Sequence, residues 1–141
     1  MSSDQLFKAT DRGETEATFF EVLRGCGETE VKYRDGDGET VLMQMARNHD
    51  WLTAVDAVIE RGCDVNAKDK YGVTALHYAA EMNHRASARI LLSRGADHAI
   101  KNNGGRTAAD LAQSNGHGDL ATQELLHWPR DDGICEASAA L

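Results

Sequence analysis

Six histidines, three cysteines and 23 acidic residues are the side chains of this 141-residue sequence that could bind a metal or move a proton. Cys26, Cys63 and Cys135 stand far apart, with no Cys-x-x-Cys pair and no spacing that would close a tetrahedral zinc site. Gly25-Cys26-Gly27 and Asn103-Gly104-Gly105 are glycine-rich. Neither runs on into the Gly-Lys-Ser/Thr that completes a phosphate-binding loop. Carboxylates are so common that chance acidic pairs mean nothing without geometry. We therefore expect no catalytic residue, no metal, no cofactor and no small-molecule substrate.

The elements that carry these residues must be soluble and compact. Apolar residues make up 41% and charged residues 27% of the chain, an ordinary globular composition with room for one core. The formal net charge is -8, which repels phosphate backbones and argues against nucleic acid as the main partner. Met1 to Lys8 carries Asp4 and leads into no apolar run, so no secretory signal is expected. No stretch approaches the ~20 apolar residues of a membrane span, so no membrane partner is expected. The odd cysteine count points the same way, to a reducing, intracellular compartment, cytoplasmic or nuclear.

The organising feature is an internal period. Asp35-Gly36-Asp37-Gly38-Glu39-Thr40-Val41-Leu42 returns 34 residues later as Asp69-Lys70-Tyr71-Gly72-Val73-Thr74-Ala75-Leu76. A third copy, Asn102-Asn103-Gly104-Gly105-Arg106-Thr107-Ala108-Ala109, follows after 33 more. Each unit continues with small alanines (Ala46, Ala79-Ala80, Ala112), then an apolar stretch such as Val58-Ile59 or Ile90-Leu91-Leu92. Two units close on a glycine turn, Gly62-Cys63-Asp64 and Gly95-Ala96-Asp97. The first copy holds one residue more than the second between its threonine and its closing glycine. We place the extra residue near a turn at His49–Trp51. Thr40, Thr74 and Thr107 sit where a helix N-cap belongs, and Gly38, Gly72 and Gly105 where a turn needs positive φ. Gly62 and Gly95 are placed to end helices.

A period of ~33 residues carrying Gly72-Val73-Thr74-Ala75-Leu76-His77-Tyr78-Ala79-Ala80 and a late Gly95-Ala96-Asp97 resembles the ankyrin repeat. Ala75 stands where that family has proline and Asn83 where it has glycine. The resemblance implies an all-α solenoid of helix-turn-helix units with projecting hairpin loops. Three recognisable repeats fall at 35-68, 69-101 and 102-128, behind a degenerate N-terminal capping repeat at 5-34. Together these form a domain spanning 1-128, with 129-141 as a flexible C-terminal tail. Trp128 is expected to cover the last repeat. His77 is expected to hydrogen-bond near its turn. Its counterparts are Met43 and Asp110, so no histidine site repeats.

The resemblance also implies a non-catalytic protein-protein interaction module, an adaptor or a subunit of an intracellular assembly, with another protein as partner. Two alternatives stay open. One is a stoichiometric inhibitor of an enzyme or transcription factor. The other is a structural component of a cytoskeletal or axonemal complex, which would make the chain cytoskeleton-associated. The partner-binding residues carried over lie on the concave face. They are Asp37, Glu39, Arg47 and Asn48 in the first unit, and Lys70, Tyr71, Val73, Glu81 and Met82 in the second. In the third they are Asn103, Gly104, Arg106 and Ser114. Tyr71 is the expected anchor and Met82 an adaptable apolar contact. Charge is expected to grade from acidic at Asp35–Glu39 to basic at Lys68–Lys70 and Arg106. Asn66, in Asp64-Val65-Asn66-Ala67, matches an asparagine that asparaginyl hydroxylases modify in such domains.

Overall fold

The computed structural model describes residues 5–10, 13–27 and 31–116. Seven helices lie in them: α1 Gln5–Lys8, α2 Glu16–Arg24, α3 Val41–Asn48, α4 Leu52–Glu60, α5 Ala75–Glu81, α6 Arg85–Ser93 and α7 Ala108–Ser114. The second helix of the third unit, Trp128, Cys135 and the tail at 129-141 lie outside the described residues.

The helices pair and stack. α3 packs on α5 and α5 on α7, forming one row, while α2, α4 and α6 form the other. No pair could bury its own apolar stripe, so neighbours supply the core. Phe19, Leu42, Met45, Val58, Leu76 and Leu91 are almost wholly buried in one continuous cluster. The alanines Ala46, Ala79, Ala80 and Ala112 are equally buried, which lets the α3–α5–α7 row close up.

Each unit begins in the same way. Asp35, Asp69 and Asn102 each use Oδ1 to accept two backbone N–H groups, from residues two and four further on, at 2.9 to 3.1 Å. These side chains fold the hairpin loop before any helix starts. A short antiparallel bridge joins Arg34 to Thr40 across the first. Gly38, Gly72 and Gly105 take φ of +80°, +75° and +79°, as the turns require. Thr40, Thr74 and Thr107 then cap α3, α5 and α7 through their hydroxyls.

The cap is reciprocal in all three units, and the returning group differs each time. Met43 Sδ, His77 Nδ1 and Asp110 Oδ2 each accept the N–H of their threonine, at 3.5, 3.1 and 3.0 Å. The three unlike residues at one repeat position therefore do one job. The expected local role of His77 follows directly.

The extra residue of the first unit is not in the turn at His49–Trp51. α3 has eight residues where α5 and α7 have seven, and the turns 49–51 and 82–84 are equal in length. The longer α3 puts Asn48 Nδ2 and His49 Nε2 both on the Thr10 carbonyl, each donating at 3.1 Å. Helix extension thus gains two bonds to the preceding unit that a longer turn would not. The same turn supplies Asp50, whose Oδ1 accepts the Ser87 N–H at 2.9 Å and so caps α6 from the neighbouring unit. Gly62 and Gly95, at φ +100° and +98°, follow α4 and α6 as expected.

Candidate protein-binding face

The hairpin tips are tied into a ladder. The Lys70 N–H donates to the Asp37 carbonyl and the Asn103 N–H to the Tyr71 carbonyl, each at 2.9 Å. Asn103 Nδ2 adds a bond to the Lys70 carbonyl at 3.1 Å. The tip that carries Tyr71 is therefore held on both sides. Its own N–H donates to Asp69 Oδ1 at 2.9 Å. Yet the Tyr71 side chain is 54% exposed, with the Lys70 ammonium 5.0 Å from its ring centroid. Lys70 also pairs with Asp37 at 2.6 Å. The Asp37 carboxylate, the Tyr71 phenol adding to it, raises the Lys70 pKa above its ordinary value.

Behind the tips lies a polar cluster. Glu39 is buried and takes a two-pronged ion pair from Arg47, at 2.7 and 3.1 Å. Arg47 also donates to Gln44 Oε1 and sits 5.2 Å from the Tyr78 ring centroid. Tyr78 donates its hydroxyl to Asp69 Oδ2 at 2.6 Å and lies 3.3 Å from Glu39 Oε2. Burial pushes the Tyr78 phenol up, and the Asp69 carboxylate pushes it further, so it remains a donor at any ordinary pH. The cluster spans two units and fixes the face between them.

The expected partner residues thus fall into two groups. Tyr71, Met82, Glu81, Lys70, Asp37, Asn103, Gly104, Arg106 and Ser114 are exposed, and Val73 is half-buried. Arg106 donates to the Ser114 hydroxyl at 2.9 Å. Glu39, Arg47 and Asn48 are held by internal partners, Asn48 reaching across to Thr10. The expected acid-to-base gradient is largely neutralised, because Asp37 meets Lys70 and Glu39 meets Arg47. Sequence reasoning missed Gln44, Asp69 and Tyr78. Tyr78 stands where the other units have Gln44 and Leu111. That swap of residue type at one repeat position was its available signal.

Asn66 bridges successive turns. Its Nδ2 donates to the Gly95 carbonyl at 3.1 Å and its Oδ1 accepts the Asp97 N–H at 2.8 Å. His77 is 1% exposed, and its Nε2 donates to the Arg106 carbonyl at 3.0 Å. Burial lowers its pKa. Burial pushes the Cys63 thiol up to about 11, so it stays protonated and unreactive. Among the described residues no group of three or more histidine, cysteine or acidic side chains could hold a metal. No helix among them is long and apolar enough to cross a membrane.

Comparison with known proteins places these features. The family model "Ankyrin repeats (3 copies)" matches residues 6–102. A probable E3 ubiquitin-protein ligase, XBOS34, of Oryza sativa subsp. japonica is 38% identical over 62% of this chain and 17% of its own. Dauer abnormal formation protein 25 of Caenorhabditis elegans is 36% identical over 79% of this chain and 28% of its own. The ankyrin repeat and LEM domain-containing protein 1 homolog of the same organism is 46% identical over 45% of this chain and 9% of its own. The chain spans less than a third of the length of each of these relatives. Ankyrin repeats generally bind proteins and catalyse nothing. With the period, the paired helices and the capped hairpins all matching that model, this chain belongs to the ankyrin-repeat family.

Proposed function

We propose that the chain is a non-catalytic binding module, an adaptor or subunit of an intracellular assembly, that holds another protein on its hairpin-and-first-helix face. The observation that carries this is Tyr71. Its backbone is fixed by bonds to Asp69 and Asn103, and its ring stands 54% exposed. An aromatic presented on a rigid loop loses little entropy when a partner covers it, which is what a binding anchor needs. Met82, 37% exposed at the end of α5, offers an adaptable apolar contact on the same unit. The relatives also favour holding over reacting. A segment common to a ligase, a dauer-formation protein and a LEM-domain protein suits a shared docking role better than a shared reaction.

The test is affinity capture from native lysate with wild type and a Tyr71→Ala, Met82→Ala double variant. Circular dichroism checks that both fold. The expected result is a stable partner whose recovery falls about tenfold or more in the variant, as loss of one hot-spot residue implies. An unchanged partner would move the site off this face.

A further inference from the structure

Leu52, Tyr71 and Met82 are the large apolar side chains exposed among the described residues. The proposed face accounts for Tyr71 and Met82. Leu52 belongs to the other row of helices, and nothing so far uses it. It is 47% exposed at the first residue of α4. With Ala86 and Ile90 of α6 it forms the apolar part of a cleft of about 600 Å3, which Arg85, Arg89 and Asp50 complete. That volume lies in the range of ligand-sized sites.

The charges in this cleft run against those of the chain. The formal net charge is -8, yet two arginines one helical turn apart line this cleft. Its one acid, Asp50, is already held by the Ser87 N–H. The next arginine on α6, Arg94, pairs with Asp56 and approaches Glu60 to 3.9 Å. Arg85 has no such ion pair among the described residues. A cation excess over an apolar floor calls for an occupant with both carboxylates and apolar side chains.

We propose that this cleft docks an acidic amphipathic helix of a partner protein. This rests on the reading of the chain as a binding module but uses a separate face. α6 has nine residues, so the floor accommodates an occupant of two to three turns, about 13 Å long. Its apolar residues, at the three- and four-residue spacing of one helix face, cover Leu52 and Ile90. Its carboxylates meet Arg85 and Arg89.

Fluorescence anisotropy with the full chain tests this, using a labelled helical peptide of about four turns with a leucine stripe flanked by glutamates. The control peptide has every glutamate replaced by lysine. The acidic peptide should bind saturably and about tenfold or more tighter than the basic one, a difference of about 1.4 kcal/mol. Leu52→Asp and Arg85→Glu should each weaken it about tenfold, while the Tyr71→Ala, Met82→Ala variant binds it normally. Leu52 is exposed, so its substitution leaves the core intact, and circular dichroism confirms this. Equal binding of both peptides overturns the proposal. So does the absence of saturable binding, as when residues 129–141 fill the cleft. Loss of binding in the Tyr71, Met82 variant puts the peptide on the other face and also overturns it. So does sedimentation showing a dimer that Leu52→Asp dissolves, which would give the cleft to a second copy. Loss of the lysate partner in the Tyr71, Met82 variant is a separate readout, so either reading can fail alone.

Discussion

His77 shows how much one buried side chain decides. Its Nδ1 accepts the Thr74 N–H at 3.1 Å and its Nε2 donates to the Arg106 carbonyl at 3.0 Å. The first bond needs a lone pair, so a proton on Nδ1 would break the cap of α5. Burial acts in the same direction and lowers the pKa from 6.5. The sign follows. Below about 6.5 the unfolded chain takes up a proton that the folded chain refuses. The stability tied to a neutral His77 is thus present above that pH and is lost as pH falls below it, toward the lowered folded value. His77→Gln keeps an acceptor and a donor but does not titrate. Urea midpoints should therefore fall more steeply for wild type than for His77→Gln between about pH 7 and pH 5. Parallel curves would show that His77 titrates freely in the fold. The tie to Arg106 was not readable from the sequence. Thr74 is three residues from His77, but the Arg106 carbonyl is 29 residues away in the next unit, and only the stack brings it there.

At the scale of elements, the hairpins were the most legible part and their contacts the least. The spacing from Asp35 to Thr40, repeated at Asp69 and Asn102, encodes the turn, the positive-φ glycine and the cap within six residues. All of that is local chemistry. The polar cluster of Glu39, Arg47, Tyr78 and Asp69 is not local. Tyr78 meets Glu39 across 39 positions, and no periodicity tells an exposed acid from one that a neighbouring helix will bury. Glu39 and Asn48 were read as surface for this reason. The glycines separate local from non-local effects experimentally. Gly72 and Gly105 share nearly the same φ, +75° and +79°. A Cβ on Gly105 meets nothing within 4 Å, whereas one on Gly72 comes within 2.7 Å of Asn103 Oδ1 and 3.0 Å of the Asn103 backbone nitrogen. Gly105→Ala should cost only the backbone strain, about 1–2 kcal/mol. Gly72→Ala should cost that plus displacement of the next hairpin, about 1 kcal/mol more, because the Asn103 N–H to Tyr71 bond must lengthen. Equal losses in chemical denaturation would mean that the hairpins do not support one another.

At the scale of the molecule, a stack of units is as stable as its interfaces, and this one carries much of its polar bonding there. Asn48 and His49 reach back to Thr10, His84 to the Ala46 carbonyl and Arg61 to the carbonyls of Leu23 and Cys26. Asn66 reaches forward to Gly95 and Asp97. The repeat period announces that such interfaces exist, but it does not say which side chain crosses each one, since the crossing residues differ from unit to unit. Asn66 gives the sharpest test because it crosses twice with one amide. Asn66→Ala removes a donor and an acceptor whose partners are backbone groups at a turn open to water. Solvent recovers part of the loss, and the expected cost is about 1–2 kcal/mol. Its distribution carries the information. If the units are coupled, hydrogen exchange should speed up at the Asp97 amide and also through α6, which ends just before that turn. If exchange rises at Asp97 alone, the turn is a local clasp, and the stack owes its cohesion to the apolar contacts of α3, α5 and α7.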